Sequence, residues 1–168
     1  MGIRYEHAED IQREINEIAR MLFPHVKLDS VVCIRSYGSS SRGTIARCHA
    51  LGKAMQIALG RKGFYVIEVI SKRFDKLPNE DKIKTLIHEL MHIPKSFGGG
   101  FIHHNVVHEK NVERVYEHYA NLKKVQERWF PEHIETKEPE NFNLNELINK
   151  ENNNPDSFSV KKKKGFWF

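Results

Sequence analysis

The stretch Asn79-Glu80-Asp81-Lys82-Ile83-Lys84-Thr85-Leu86-Ile87-His88-Glu89-Leu90-Met91-His92-Ile93-Pro94 decides how this chain is read. Ile83, Leu86, Ile87, Leu90 and Met91 recur at helical spacing and form one apolar stripe. Asn79 offers an N-cap, Glu80 and Asp81 fall in the first turn where the helix dipole favours acids, and Pro94 marks the stop. His88 and His92 lie largely off the stripe. Residues four apart stand one above the other on a helix, so both imidazoles can reach one metal ion. Glu89 is turned about 100° from His88. That places it to act on a metal-bound water without ligating the metal itself. Zinc suits this set, because it takes neutral imidazoles and a catalytic zinc keeps one position for water.

The pentapeptide gains meaning from its flanks. Upstream, Phe64-Tyr65-Val66-Ile67-Glu68-Val69-Ile70 and Val31-Val32-Cys33-Ile34 read as strands, short and rich in β-branched residues. Ile11, Ile15, Ile18, Ala19 and Leu22 fall on one face of a first helix that Pro24 stops. Gly38-Ser39-Ser40-Ser41-Arg42-Gly43 is a loop, and Thr44 to Leu59 is expected to form two short strands turning at Gly52. A last, long helix is expected from about Glu109 to Phe130. Its inward face is Val112, Val115, Tyr116, Tyr119, Leu122 and Trp129, and Pro131 ends it. The class is α+β: a small, mostly antiparallel sheet packed with an N-terminal helix, the HExxH helix and a long C-terminal helix.

A third ligand is expected downstream. Six of the ten histidines fall between 88 and 118, and His103, His104 and His108 follow Gly98-Gly99-Gly100, which lets the backbone double back. Glutamates compete for the role: Glu109, Glu113 and Glu117 lie on the last helix, where the bland reading is a charged outer face. The other histidines, His7, His25, His49, His118 and His133, read as surface or packing residues.

Composition bounds the alternatives. The 168 residues suit one domain over about 1–130, followed by a polar tail over 131–168 rich in Pro, Glu, Asn and Lys. Mean hydropathy is −0.59, and no apolar run approaches the roughly 20 residues of a spanning helix. The start has no secretory pattern, so a cytoplasmic protein is expected. Cys33 and Cys48 form no CxxC pair and read as reduced thiols. Net charge is +5, but Lys161–Lys164 carry four of the 27 basic residues, and the remaining chain is nearly neutral. Nucleic acid is therefore disfavoured as a partner, with that lysine run, followed by Gly165-Phe166-Trp167-Phe168, the one stretch suited to it.

The run from Phe64 to about His108 resembles the small predicted archaeal metallopeptidases of uncharacterised function. The likeness lies in Tyr65-Val66-Ile67-Glu68, Phe74-Asp75-Lys76-Leu77, Ile87-His88-Glu89-Leu90-Met91-His92-Ile93-Pro94 and Phe97-Gly98-Gly99-Gly100. It extends more loosely over Ser39–Leu51 and Val112–Tyr119. By position, the family's third histidine falls on His104. The resemblance implies a minimal zincin-like fold and a zinc-dependent peptidase acting on a peptide or protein, with His88, His92 and His104 on the metal. The metzincin spacing HExxHxxGxxH is missing, whereas Glu117-His118-Tyr119-Ala120 mimics the ExxA of gluzincins. The gap from HExxH to the third histidine is also similar to that of SprT-like, DNA-associated proteases.

On this reading Glu89 is the general base, and an extended peptide adds along the edge of the Tyr65–Ile70 strand. Tyr116, Tyr119 and His108 are candidates to steady the oxyanion. The rival is a non-catalytic module in which zinc only stabilises the fold.

Overall fold

Four strands form one sheet: β1 (Arg4–His7), β2 (Val31–Tyr37), β3 (Ala46–Ala50) and β4 (Tyr65–Ile70), in the spatial order β1-β2-β4-β3. The structure is a computed structural model and describes residues 2–129. The expected tail, with Lys161–Lys164 and the aromatic end, lies outside the described residues. β1 pairs antiparallel with β2 and β3 antiparallel with β4, while β2 and β4 run parallel with Val31 opposite Tyr65. The sheet is thus mostly antiparallel, as the sequence implies.

Side chains alternate across a strand. Val31 and Cys33 of β2, with Tyr65, Ile67 and Val69 of β4, enter the core. Over them lie the helices α1 (Glu9–Leu22), α4 (Asn79–Met91) and α5 (Glu109–Trp129). Two shorter ones, α2 (Lys53–Ala58) and α3 (Ser71–Phe74), sit at the connections. The stripe Ile11, Ile15, Ile18, Ala19, Leu22 of α1 is buried, as are Leu86, Ile87, Leu90 and Met91 of α4. Each isoleucine, leucine or methionine among them contributes roughly 1.5–3 kcal/mol by leaving water.

Several local expectations are corrected. Thr44 to Leu59 gives one strand and then α2, because Gly52 begins a helix rather than a hairpin turn. β1 carries no sequence signal: its Arg4-Tyr5-Glu6-His7 is exposed at every position, so it has no apolar alternation to read. Asn79 does not cap α4; Pro78 occupies the N-cap and no side chain caps it. Pro94 stands beyond the stop, since α4 ends at Met91 with His92 as its C-cap. Trp129 is exposed rather than inward, about two turns past Leu122, the last α5 residue packed against the core.

Most important for the site, the Tyr65–Ile70 strand is not an edge. It is sandwiched between β2 and β3, and among the described residues β3 is the edge on that side, with β1 at the other. Buried hydrophobic runs suit interior strands.

Ile18 is fully buried in α1. Ile18→Ala is expected to lower the unfolding free energy by about 2–5 kcal/mol, measurable by urea denaturation.

Candidate metal centre

Three histidines meet at the end of α4. One nitrogen from each of His88, His92 and His104 lies within 4.8 Å of the other two. His88 Nε2 and His92 Nε2 are 3.1 Å apart. Imidazole nitrogens around a tetrahedral zinc stand roughly 3.3 Å apart, so this pair already has the separation that a shared ion requires. The His104 ring centroid lies 4.7 Å from that of His92 and 5.5 Å from that of His88.

His92 is held from both sides by one residue. Its Nδ1 donates to the Ile102 carbonyl at 2.6 Å, and its own carbonyl accepts the Ile102 N–H at 2.9 Å. With Nδ1 protonated, Nε2 turns its lone pair to the cluster. A carbonyl behind a ligating imidazole sets tautomer and orientation in this way. Burial lowers the His88 pKa to about 3, with His92 and His104 adding to the effect, and burial lowers that of His92 as well. Neutral rings are the form that binds a metal. The donor set therefore fits a zinc-like dication.

The return of the chain from His92 to His104 is clamped by two buried side chains. The Tyr65 hydroxyl donates to the Gly100 carbonyl and accepts the Gly99 N–H, both at 3.0 Å. The Gln56 amide donates to the carbonyls of Gly98 and Leu51 at 2.8 and 2.7 Å. Gly99 has φ +88°, and a Cβ there would run into the Gln56 amide and the Leu51 carbonyl. Glycine is needed at this point for both reasons. Beyond it, Val107 is fully buried and Asn111 Nδ2 donates to the Val106 carbonyl, anchoring the turn that carries His104.

Glu89 is 6% exposed. Burial pushes its carboxyl up to about 8, against the pull of a hydrogen bond from the Cys48 N–H on β3. A carboxyl near neutrality can both take and return a proton. The cleft around it measures about 450 Å³ and runs along β3, with Ala46, Cys48, Thr85 and Phe101 on its walls.

The remaining candidates fall elsewhere. Glu113 pairs with Lys84 at 2.6 Å, and Glu117 is exposed on α5, so neither joins the cluster. His103 is exposed beside His92, and His108 lies outside the cleft lining. Tyr119 is buried in the core and Tyr116 lies under the Lys84 ammonium, so neither can face a substrate in the cleft. His25 donates to, or accepts at, no part of the cluster; its Nε2 meets the Ile93 carbonyl at 3.0 Å. Sequence reasoning missed Tyr65, Gln56 and the β3 edge. A lone tyrosine in an aliphatic strand opposite a glycine run was the available signal.

The model of a family described as "Putative phage metallopeptidase" matches residues 3–129, and the chain belongs to that family. The match carries the metallopeptidase class of the sequence resemblance, and neither its archaeal branch nor its SprT-like spacing. No curated protein and no solved structure matches the chain. A metallopeptidase family together with a three-histidine pocket implies a metal.

Tyr65→Phe keeps the ring and removes the clamp on Gly99 and Gly100. It is expected to cost about 1–3 kcal/mol and to speed amide exchange at Gly99, read by denaturation and hydrogen-exchange mass spectrometry.

Proposed function

We propose that the protein is a zinc-dependent peptidase, with His88, His92 and His104 holding the metal and Glu89 serving as general base. The observation that carries this reading is the convergence of three imidazoles and one buried carboxyl in a single cleft beside a sheet edge. Zinc, when bound, supplies Lewis acidity toward water and the scissile carbonyl.

The chain's own residues supply the rest. Glu89 accepts a proton from water and returns it to the leaving amine. Its carboxyl is held at the rim of β3 by the Cys48 N–H, which fixes it in line with a strand laid along that edge. Ile45 and Leu51 bond to Ile70 and Phe64 of the neighbouring strand. Antiparallel pairing alternates, so the backbone groups of Ala46, Cys48 and Ala50 face outward. With the Cys48 N–H taken by Glu89, those of Ala46 and Ala50 and the Cys48 carbonyl are where an extended peptide adds as a further strand. β3 thus takes the role expected of the Tyr65–Ile70 strand.

Glu89→Gln is expected to keep zinc at full stoichiometry and lower casein cleavage by about 10²–10⁴-fold. Undiminished turnover removes Glu89 as the base. His104→Ala is expected to lose zinc, whereas Glu113→Ala and Glu117→Ala keep it, as read by metal analysis of the purified proteins. Zinc at a hundred times its Kd is expected to add about 2.7 kcal/mol to stability, visible as a rise in Tm that a chelator reverses. A protein that holds zinc yet cleaves no denatured substrate is a structural zinc module instead.

A further inference from the structure

The edge strand β3 shows different chemistry on its two faces. Ala46, Cys48 and Ala50 pack toward the helices. Arg47 and His49 project to the opposite face, and both reach one oxygen of Glu68 on β4. His49 Nε2 lies 2.8 Å from Glu68 Oε2 and Arg47 Nη1 lies 3.5 Å from it. The Glu68 side chain is 2% exposed, those of Arg47 and His49 36% and 49%. A buried carboxylate thus fixes two solvent-reaching side chains, and both line the cleft that holds His88, Glu89, His92 and His104.

Apart from the buried Glu68 carboxylate, the charge around that edge has one sign. No Asp or Glu occurs between Asp29 and Glu68, whereas Arg35, Arg42, Arg47, Lys53, Arg61 and Lys62 do. Arg35 is engaged by Asp10 and Asp75. Arg42 precedes β3 and Lys53 follows it, so cations bracket the strand with Arg47 at its middle. Among the described residues lining the cleft, Glu89 is the sole acid, and it is buried. Fields of one sign in a walled cleft concentrate ligands of the other.

We propose that the cleft selects extended peptides carrying acidic side chains, and that Arg47 is the residue that reads them. This rests on the peptidase reading above and adds the substrate class. A peptide paired with β3 directs alternate side chains to the face of Arg47 and His49. The intervening ones meet the small residues Ala46 and Cys48 on the histidine side. The outward N–H and C=O groups of a strand edge match a polypeptide backbone and find no such partner on a phosphodiester chain.

The test uses three labelled peptides that differ only at alternate positions, with Glu, Gln or Lys there. Zinc-loaded wild-type protein reports kcat/KM for each, and zinc-loaded Glu89→Gln protein reports Kd by fluorescence anisotropy. The Glu peptide is expected to win over the Gln peptide by about fivefold per acidic side chain, with the advantage shrinking as salt rises. Arg47→Gln is expected to erase the difference, and Arg47→Glu to turn it toward the Lys peptide. Equal cleavage of all three peptides by the wild type overturns the selection and leaves the peptidase reading standing. Cleavage of none of them, with zinc bound, overturns both. Binding of a short DNA duplex, with Arg47 dependence and without any preference among the peptides, also overturns it. The wild-type comparison needs no variant to fold.

Discussion

The reciprocal bonding of His92 and Ile102 is the constraint on which the site depends. α4 ends at Met91, and nothing within a helix would carry its axis back to the cluster. The Ile102 N–H closes on the His92 carbonyl while the Ile102 carbonyl receives the His92 ring. One residue therefore ends the excursion after the helix and orients the imidazole. His104 follows two residues later, so the same closure sets where the third ring stands. Tyr65 and Gln56 then brace the closure by bonding backbone groups of Gly98, Gly99 and Gly100.

This arrangement ties the chemistry to the core. Tyr65 belongs to an interior strand and is fully buried, with its ring edge-on to Phe97 at 4.8 Å between centroids. The phenol thus reaches from the packed interior to the loop, and the loop inherits the rigidity of the sheet. Glu89 is tied to the sheet from the other side, through the Cys48 N–H. Glu89, the rings and the edge strand are three parts of one framework, and a shift of β3 would move the carboxyl with it. Glu68 plays a parallel role on the far face, where burial would raise its carboxyl but hydrogen bonds and the Arg47 charge outweigh that and hold it below its ordinary value.

Legibility in the sequence followed physical cause. The stripes of α1 and α4 were readable because long amphipathic periodicity has one explanation, burial of that face. Residues 46–58 were harder: they carry Gly52, mixed polar residues and exposed Met55 and Ile57, so no period distinguished strand from helix. β1 had no apolar face at all and is a strand because β2 offers it an edge. The oxyanion candidates on α5 failed for a related reason. Tyr119 has the chemistry of a donor, but the helix turns it into the core, and facing is a property of packing rather than of residue type.

By itself the sequence determined the fold class, the helix that carries His88, Glu89 and His92, and the glycine bend that sends later histidines back toward it. Those features rest on local spacing, which the chain specifies without help. The tertiary structure decided that His104, rather than His103, His108 or a glutamate, stands with the other two rings. It also decided that β3 and not β4 borders the cleft, and that Arg47 and His49 share one buried carboxylate. Each of these is a question of which distant segments meet. That is settled by the order in which strands pair and by the side chains that must be buried between them.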